Sequence, residues 1–284
     1  GGYTMDTFTL EVRNLTKEYP GTIALNDFSA VLYGGKVYAL LGKNGSGKST
    51  LVKCMSGAVQ PTGGEILLNG KSMHFKSPGE AFDSGIAIVY QELSLILDLS
   101  IAENILIGRY FKKGPNNSVI DWKKTNAVAA DILESLGIDL PVDTKVSALS
   151  VGQRQMVEIA KAMSFNPKVL ILDEPTSALA RHETESLFKV IHSSKSKGVI
   201  VIFITHKLNE IRGVADEVIV LRDSRFIGTS AIAEATPKRI VDMMFGEVPI
   251  PTRPDAVQPS TEVTMEVRNL TREPKFSNVS FQLH

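Results

Sequence analysis

Cysteine is almost absent from this 284-residue chain, where Cys54 stands alone. An internal disulfide is excluded, and the count suits a reducing compartment. Its place just behind a glycine-rich loop fits a small core residue better than a reactive thiol. Net charge is lacking as well. Lysine plus arginine and aspartate plus glutamate both number 31, so no overall field draws the chain to nucleic acid or to an anionic membrane surface. Nor does any apolar run approach the ~20 residues that a membrane helix needs. The longest, residues 198–205, is strand-sized, so a membrane role would have to run through a partner. What remains is 43% hydrophobic and 22% charged, which suits a globular protein with a real core in one large domain or two modest ones. Gly1–Thr4, ahead of Met5, read as a remnant of expression.

The rest of the chain is organised around Gly42-Lys43-Asn44-Gly45-Ser46-Gly47-Lys48-Ser49-Thr50. An apolar run, Val37–Leu41, precedes it, and a helix-like stretch from Leu51 to Ala58 comes after it. Strand, glycine-rich loop and helix make the context in which G-x-x-x-x-G-K-[ST] is a phosphate cradle. The glycines let backbone N–H groups turn inward, and the new helix presents its positive end to the same charge. Lys48 supplies a cation for the outer phosphates, and the Ser49 hydroxyl suits Mg²⁺.

Thr9–Val12 and Asp27–Tyr33 read as strands, with a turn around Tyr19-Pro20-Gly21 between them. Pro61–Gly64 turns into a strand over 65–68, and Ile86–Tyr90 is another, ending at Gln91. Helical patterns dominate from about 100 to 165. Ser100 and Glu103 have capping-box spacing, and Asp121 is placed to cap a helix from Trp122 to Leu136, closed by Gly137. Trp122 reads as a packing residue. Beyond that, Val169–Leu172, Val199–Ile204 and Val218–Leu221 are continuous apolar runs, the mark of strands buried on both faces. Helical stretches at 183–195 and 208–214 separate them in βαβ order. The fold class is α/β: a phosphate-loop core with a mostly parallel sheet, N-terminal antiparallel strands and a helical insertion at about 92–166.

Residues 249–262 hold four prolines without helix or strand period and read as a linker. Past it, Glu266–Glu273 repeats Glu11–Glu18 with one difference, Arg272 for Lys17. Val279-Ser280 then aligns with Phe28-Ser29, the second copy being shorter by the turn that carries Tyr19. The expected organisation is one domain over 1–248, the linker, and the opening strands of a duplicate over 263–284.

Asp173-Glu174 close an apolar strand at the carboxyl edge of the sheet, where parallel sheets bind ligands. Beside a phosphate loop the first carboxylate suits Mg²⁺, and the second suits a base that orients and deprotonates water. Leu149-Ser150-Val151-Gly152-Gln153 opens a helix over 154–163 with capping-box spacing. With the phosphate loop, this stretch resembles the signature of ATP-binding cassette (ABC) ATPases, and the resemblance runs from Leu10 to about Phe245. It implies ATP as ligand, Tyr19 stacked on adenine, Gln91 as the glutamine that reaches the metal, and His206 as the switch histidine. It implies that Gly42, Asn44, Gly45, Ser46, Gly47, Lys48, Ser49 and Thr50 hold this domain's own nucleotide. Ser150, Gly152 and Gln153 would complete a partner's. Two positions depart from the family pattern. Val151 replaces the commoner second glycine, and Ala180 stands where many relatives carry an aspartate after Ser177-Ala178-Leu179.

Tyr90–Leu95, Leu99–Ile105 and Gln155–Ala162 narrow the resemblance to importers of ribose, galactose or xylose type with two fused ATPase domains. That implies a second ABC domain of the same polypeptide, transmembrane permease subunits and, indirectly, a sugar-binding protein. It also implies a cytoplasmic place at the inner face of the membrane and no nucleic-acid partner. A soluble tandem ABC protein acting on ribosomes or DNA would call for basic stretches or a long coiled-coil insertion. The balanced charge and the spacing from Lys48 to Ser150 disfavour both. Glu174 and His206 disfavour a regulator that holds nucleotide without hydrolysing it. A nucleoside importer shares the architecture and stays open.

Overall fold

The computed structural model describes residues 8–177, 179–246 and 262–283. They fall into two compact units, divided after Gly246. The expected linker lies almost wholly outside the described residues.

In the first unit, β1 (Thr9–Tyr19) and β2 (Thr22–Tyr33) form a long hairpin, followed by β3 (Val37–Leu41) and α1 (Lys48–Met55). Next come β4 (Gly63–Leu68), β5 (Lys71–Met73), α2 (Pro78–Asp83) and β6 (Ile86–Val89). The helical region holds α3 (Ile101–Ile105), a small ribbon of β7 (Lys112–Lys113) and β8 (Val119–Ile120), α4 (Trp122–Ser135) and α5 (Val151–Met163). The chain then re-enters the sheet through β9 (Val169–Asp173), α6 (Arg181–Ser196), β10 (Ile200–Ile204) and α7 (Leu208–Val214). It closes with β11 (Glu217–Arg222), β12 (Arg225–Ala231) and α8 (Pro237–Phe245). The second unit is a hairpin of β13 (Met265–Arg272) and β14 (Phe276–Leu283).

Ten strands of the first unit align in the order β5-β4-β1-β2-β12-β11-β3-β10-β9-β6. The strands β11, β3, β10, β9 and β6 are mutually parallel, whereas β5, β4, β1 and β2 are antiparallel. A single pairing, Arg225 with Asn26, joins β12 to β2. Each parallel strand is buried on both faces. Val37, Ala39 and Leu41 of β3 enter one apolar cluster, with Ile105, Leu133 and Val157. Tyr38 and Leu40 enter the other, with Leu10, Phe28 and Leu51. Each such aliphatic side chain contributes about 1.5–3 kcal/mol on burial, so the continuous apolar runs read from the sequence are the spine of the fold.

Sequence-read boundaries shift where local chemistry outweighs periodicity. The first two strands run on to the turn at Tyr19–Thr22, across bulges in their ladder. Helices α1 and α5 begin three residues earlier than their apolar period indicates, because Gly47 and Ser150 act as their N-caps. The helical region is interrupted by the β7–β8 ribbon. Trp122 is 44% exposed, its ring tilted against Tyr110, so it packs only along one side. Cys54 is buried, and burial pushes its thiol up to about 11, the inert core residue that its position indicates.

Candidate active site

Strand β3 delivers the chain into the loop Gly42–Gly47, and α1 leaves it. Gly47 sits at φ +100°, and a Cβ there would meet the Ala24 carbonyl at 2.8 Å. A Cβ on Gly42 would press on Ser46 Oγ at 2.3 Å and on the Leu221 carbonyl at 2.4 Å. Only glycine fits either position. Lys48 Nζ curls back and donates to the carbonyls of Gly42 (2.7 Å) and Lys43 (2.9 Å). Burial lowers its pKa, with Glu174 and Asp173 pulling the other way. Ser46 is buried, and its hydroxyl has no hydrogen-bond partner among the described residues. A buried hydroxyl left so costs about 1–3 kcal/mol, which an anionic acceptor in the loop would recover. The chemistry here is that of a phosphate cradle. Asn44, Gly45 and Ser49 are exposed around it, and Thr50 is half-buried.

The parallel strands set the remaining groups beside that cradle. Strand β10 lies between β3 and β9, and β9 lies between β10 and β6. The residues just past each strand therefore collect at one carboxyl edge: the loop after β3, His206 after β10, Asp173-Glu174 at the end of β9, and Gln91 after β6. Asp173 is half-buried, and burial raises its carboxyl above the usual range; neighbouring Glu174 adds to this and Lys48 opposes it. Glu174 adopts φ +47°, with its N–H donating to the Ile204 carbonyl at 3.1 Å. That left-handed turn is costly for a residue with a side chain. It brings Glu174 Oε1 to 3.1 Å from His206 Nδ1. Gln91 is exposed at the head of a segment that leaves the sheet after Val89. Tyr19, 43% exposed, caps the β1–β2 hairpin with Lys17 Nζ 5.0 Å from its ring centroid.

Ser150, Gly152 and Gln153 lie elsewhere. Ser150 and Gln153 form the reciprocal cap at the start of α5, with bonds of 2.9 and 3.2 Å. Among the described residues, no hydrogen bond or ion pair joins them to Lys48, Asp173, Glu174 or His206. Ser150 and Gly152 lie against Glu183 of α6, which sequence reasoning passed over. Ser150 Oγ donates to Glu183 Oε1 at 2.6 Å, and this bond, with the Ala180 N–H, lowers the Glu183 pKa. A Cβ on Gly152 would meet the Glu183 carboxyl carbon at 2.6 Å. The near-helical spacing of Glu183 gave no sign of this contact between α5 and α6.

Mg²⁺ asks for one or two carboxylates, with substrate phosphates and water completing an octahedron. Asp173 and the Ser49 hydroxyl suit that demand. No group of three His, Cys, Asp or Glu side chains fit to hold a metal occurs among the described residues.

Comparisons with known proteins agree with this geometry. A model of the family described as "ABC transporter" matches residues 25–177. The galactose/methyl galactoside import ATP-binding protein of Escherichia coli K12 is 42% identical over 279 residues, covering 98% of this chain and 54% of that protein. A putative ribose/galactose/methyl galactoside import ATP-binding protein of Agrobacterium fabrum is 43% identical over 278 residues, covering 97% and 53%. The chain thus spans about half the length of the curated relatives it matches. Among solved structures, the ADP conformation of an ATP-binding cassette of an ABC transporter superposes with a TM-score of 0.72 at 28% identity, covering 84% of this chain and 99% of that one. With the family model spanning more than half of its residues, the chain belongs to the ABC transporter ATPase family.

Proposed function

We propose that this chain is an ATP-hydrolysing cassette that powers uptake of a monosaccharide through a membrane importer. One observation carries the reading: Lys48, Asp173, Glu174 and His206 converge at the carboxyl edge of adjacent parallel strands, with Glu174 and His206 in contact. Lys48 leaves its two backbone carbonyls for the outer phosphates of ATP, and the Gly42–Gly47 amides and Ser46 Oγ hold the remaining oxygens. Asp173, Ser49 and Gln91 hold Mg²⁺, which when bound neutralises charge on the phosphates. Glu174 orients a water and takes its proton as the oxygen attacks the γ-phosphorus. The bond to the bridging oxygen breaks, and ADP leaves with that electron pair. His206 fixes the Glu174 carboxylate and donates to the transferred phosphoryl group. Tyr19 stacks on the adenine.

Ser150, Gly152 and Gln153, held away from this cluster, serve the nucleotide of a second cassette. The repeat of Glu11–Glu18 at Glu266–Glu273 supports a fused second domain as that partner. Permease subunits and a sugar-binding protein complete the importer, with this chain at the inner membrane face. The relatives' names support a galactose- or ribose-like cargo. The test is Glu174→Gln in the assembled transporter. ATP affinity should persist while hydrolysis falls at least ~100-fold, as for loss of a general base. Near-normal turnover would overturn the assignment.

A further inference from the structure

The reach of Gln91 is fixed by a buried carboxylate on another element. After Val89 the chain leaves its ladder with β9, and Gln91, Glu92 and Leu93 make no hydrogen bond among the described residues. The next fixed point is Ser94. Its hydroxyl donates to Glu158 Oε1 at 2.6 Å and its N–H to Glu158 Oε2 at 3.2 Å. Glu158 lies on the third turn of α5 and is only 8% exposed. Lys161 Nζ donates to Ser94 Oγ at 3.0 Å and stands 3.8 Å from Glu158 Oε1. A carboxylate withdrawn from water this far is stable only when its oxygens are bonded and its charge is met, and here Ser94 and Lys161 do both.

Beyond Ser94 the segment is pinned again. Asn104, 1% exposed, accepts from the Ile96 N–H at 2.8 Å and donates to the Ile96 carbonyl at 2.9 Å. The Leu97 and Leu99 carbonyls accept from the Ser147 and Val146 N–H groups, just ahead of α5. Removing the Ser94 anchor moves the first fixed point to Leu95, which packs against the apolar core. The free span then grows from residues 91–93 to residues 91–94, and the positions open to the Gln91 carboxamide multiply.

We infer that Glu158 is a positioning residue for Gln91, tying it through Ser94 to helix α5 so that Gln91 and the Ser150 end of that helix move as one body. The inference rests on the reading of Gln91 as a contact to the metal of Mg–ATP, and the experiment separates the two. Mg²⁺-dependent ATP binding to the full chain is titrated for the wild type, Gln91→Ala, Glu158→Ala, Glu158→Gln and the double variant Q91A/E158A, with thermal midpoints recorded alongside. Outer partners of metal ligands are typically worth 10–100-fold in affinity. E158A should therefore raise the Mg²⁺ concentration for half-maximal binding about tenfold, with E158Q, which can still accept from Ser94, recovering most of it. The double variant should be no worse than Q91A alone, because an anchor matters only while its cargo is present. Ser94→Ala replaces E158A in the same cycle if E158A does not fold. A Mg²⁺ requirement unchanged by Q91A would overturn the reading of Gln91. A Q91A effect with no E158A effect, or with effects that add in the double variant, would overturn the role of Glu158.

Discussion

The hairpins β1–β2 and β13–β14 share most of their first strand and a local structure but not an environment. Asn14 and Asn269 both turn left-handed, at φ 47° and 51°, and so do Asp27 and Asn278 opposite them, at 55° and 53°. The Asn14 N–H donates to Ser29 Oγ and the Asn269 N–H to Ser280 Oγ, each at 2.8 Å. The Asp27 N–H donates to Thr16 Oγ1 at 3.1 Å, and the Asn278 N–H to Thr271 Oγ1 at 2.9 Å. Even the same-face ion pair recurs, Arg13 with Glu11 and Arg268 with Glu266. Burial parts them. Leu15 is fully buried in the first unit, while its counterpart Leu270 is 50% exposed in the second. A few Asn, Ser and Thr side chains thus suffice to write the bulged ladder. The apolar face becomes a source of stability only where strands and helices cover it.

The comparison is sharpened most by cutting the apolar face in each copy. Leu15→Ala should cost about 2–5 kcal/mol, as large-to-small changes in cores do, read as a lower urea midpoint for the first unit. Leu270→Ala, at an exposed site, should stay within about 0.5 kcal/mol. Equal losses would mean that the second hairpin is covered by something outside its own unit. A smaller effect is expected at the bulge. Asn14→Ala forces a β-carbon residue without a helpful side chain into the left-handed region, for about 1–2 kcal/mol, and Asn14→Gly should restore most of it. If glycine were no better than alanine, the bond that Asn14 Nδ2 donates to Asp27 Oδ1 at 2.7 Å, rather than the backbone angle, would set the bulge. The smallest effect belongs to Arg13→Ala. It removes only exposed ion pairs, with Glu11 and Glu65, so the urea midpoint should not move measurably, and Arg268→Ala, which loses its pair with Glu266, should behave alike.

How much of this was legible beforehand depends on the range of the forces involved. The loop Gly42–Thr50 and the paired carboxylates after β9 were readable because a phosphate cradle and a strand-end acid pair need fixed residue types within a few positions. The continuous apolar runs announced the parallel strands for the same reason: both faces of each must be buried. Strand β12 and helix α8 went unread, since Gly228-Thr229-Ser230 break any apolar alternation in β12 and α8 buries only Ile240 and Met244. The bulges of β1 were invisible as well, because bonds such as Asn14 to Ser29 span a hairpin whose register the apolar pattern alone does not fix. Glu183 and Glu158 were missed for a deeper reason. Each is an ordinary helix-surface glutamate in sequence, and only the packing of α5 on α6, or of Ser94 on α5, gives it a partner.

The same long-range logic separates the two halves of the chemistry. Lys48 and Glu174 stand at the sheet edge, and Ser150 stands with Glu183 on the helical side. The central claim is that hydrolysis needs the Ser150 end of another cassette at the Lys48 site. For these 284 residues a second copy has to supply that Ser150 end, so the ATPase rate per chain, measured across a hundredfold dilution with mass determined by light scattering, tests it most directly. Association makes the active species concentration-dependent, so specific activity should rise with concentration and vanish on dilution as the chains become monomers. Fast turnover by a strict monomer, unchanged by dilution, would contradict the account and assign the whole reaction to the edge cluster alone.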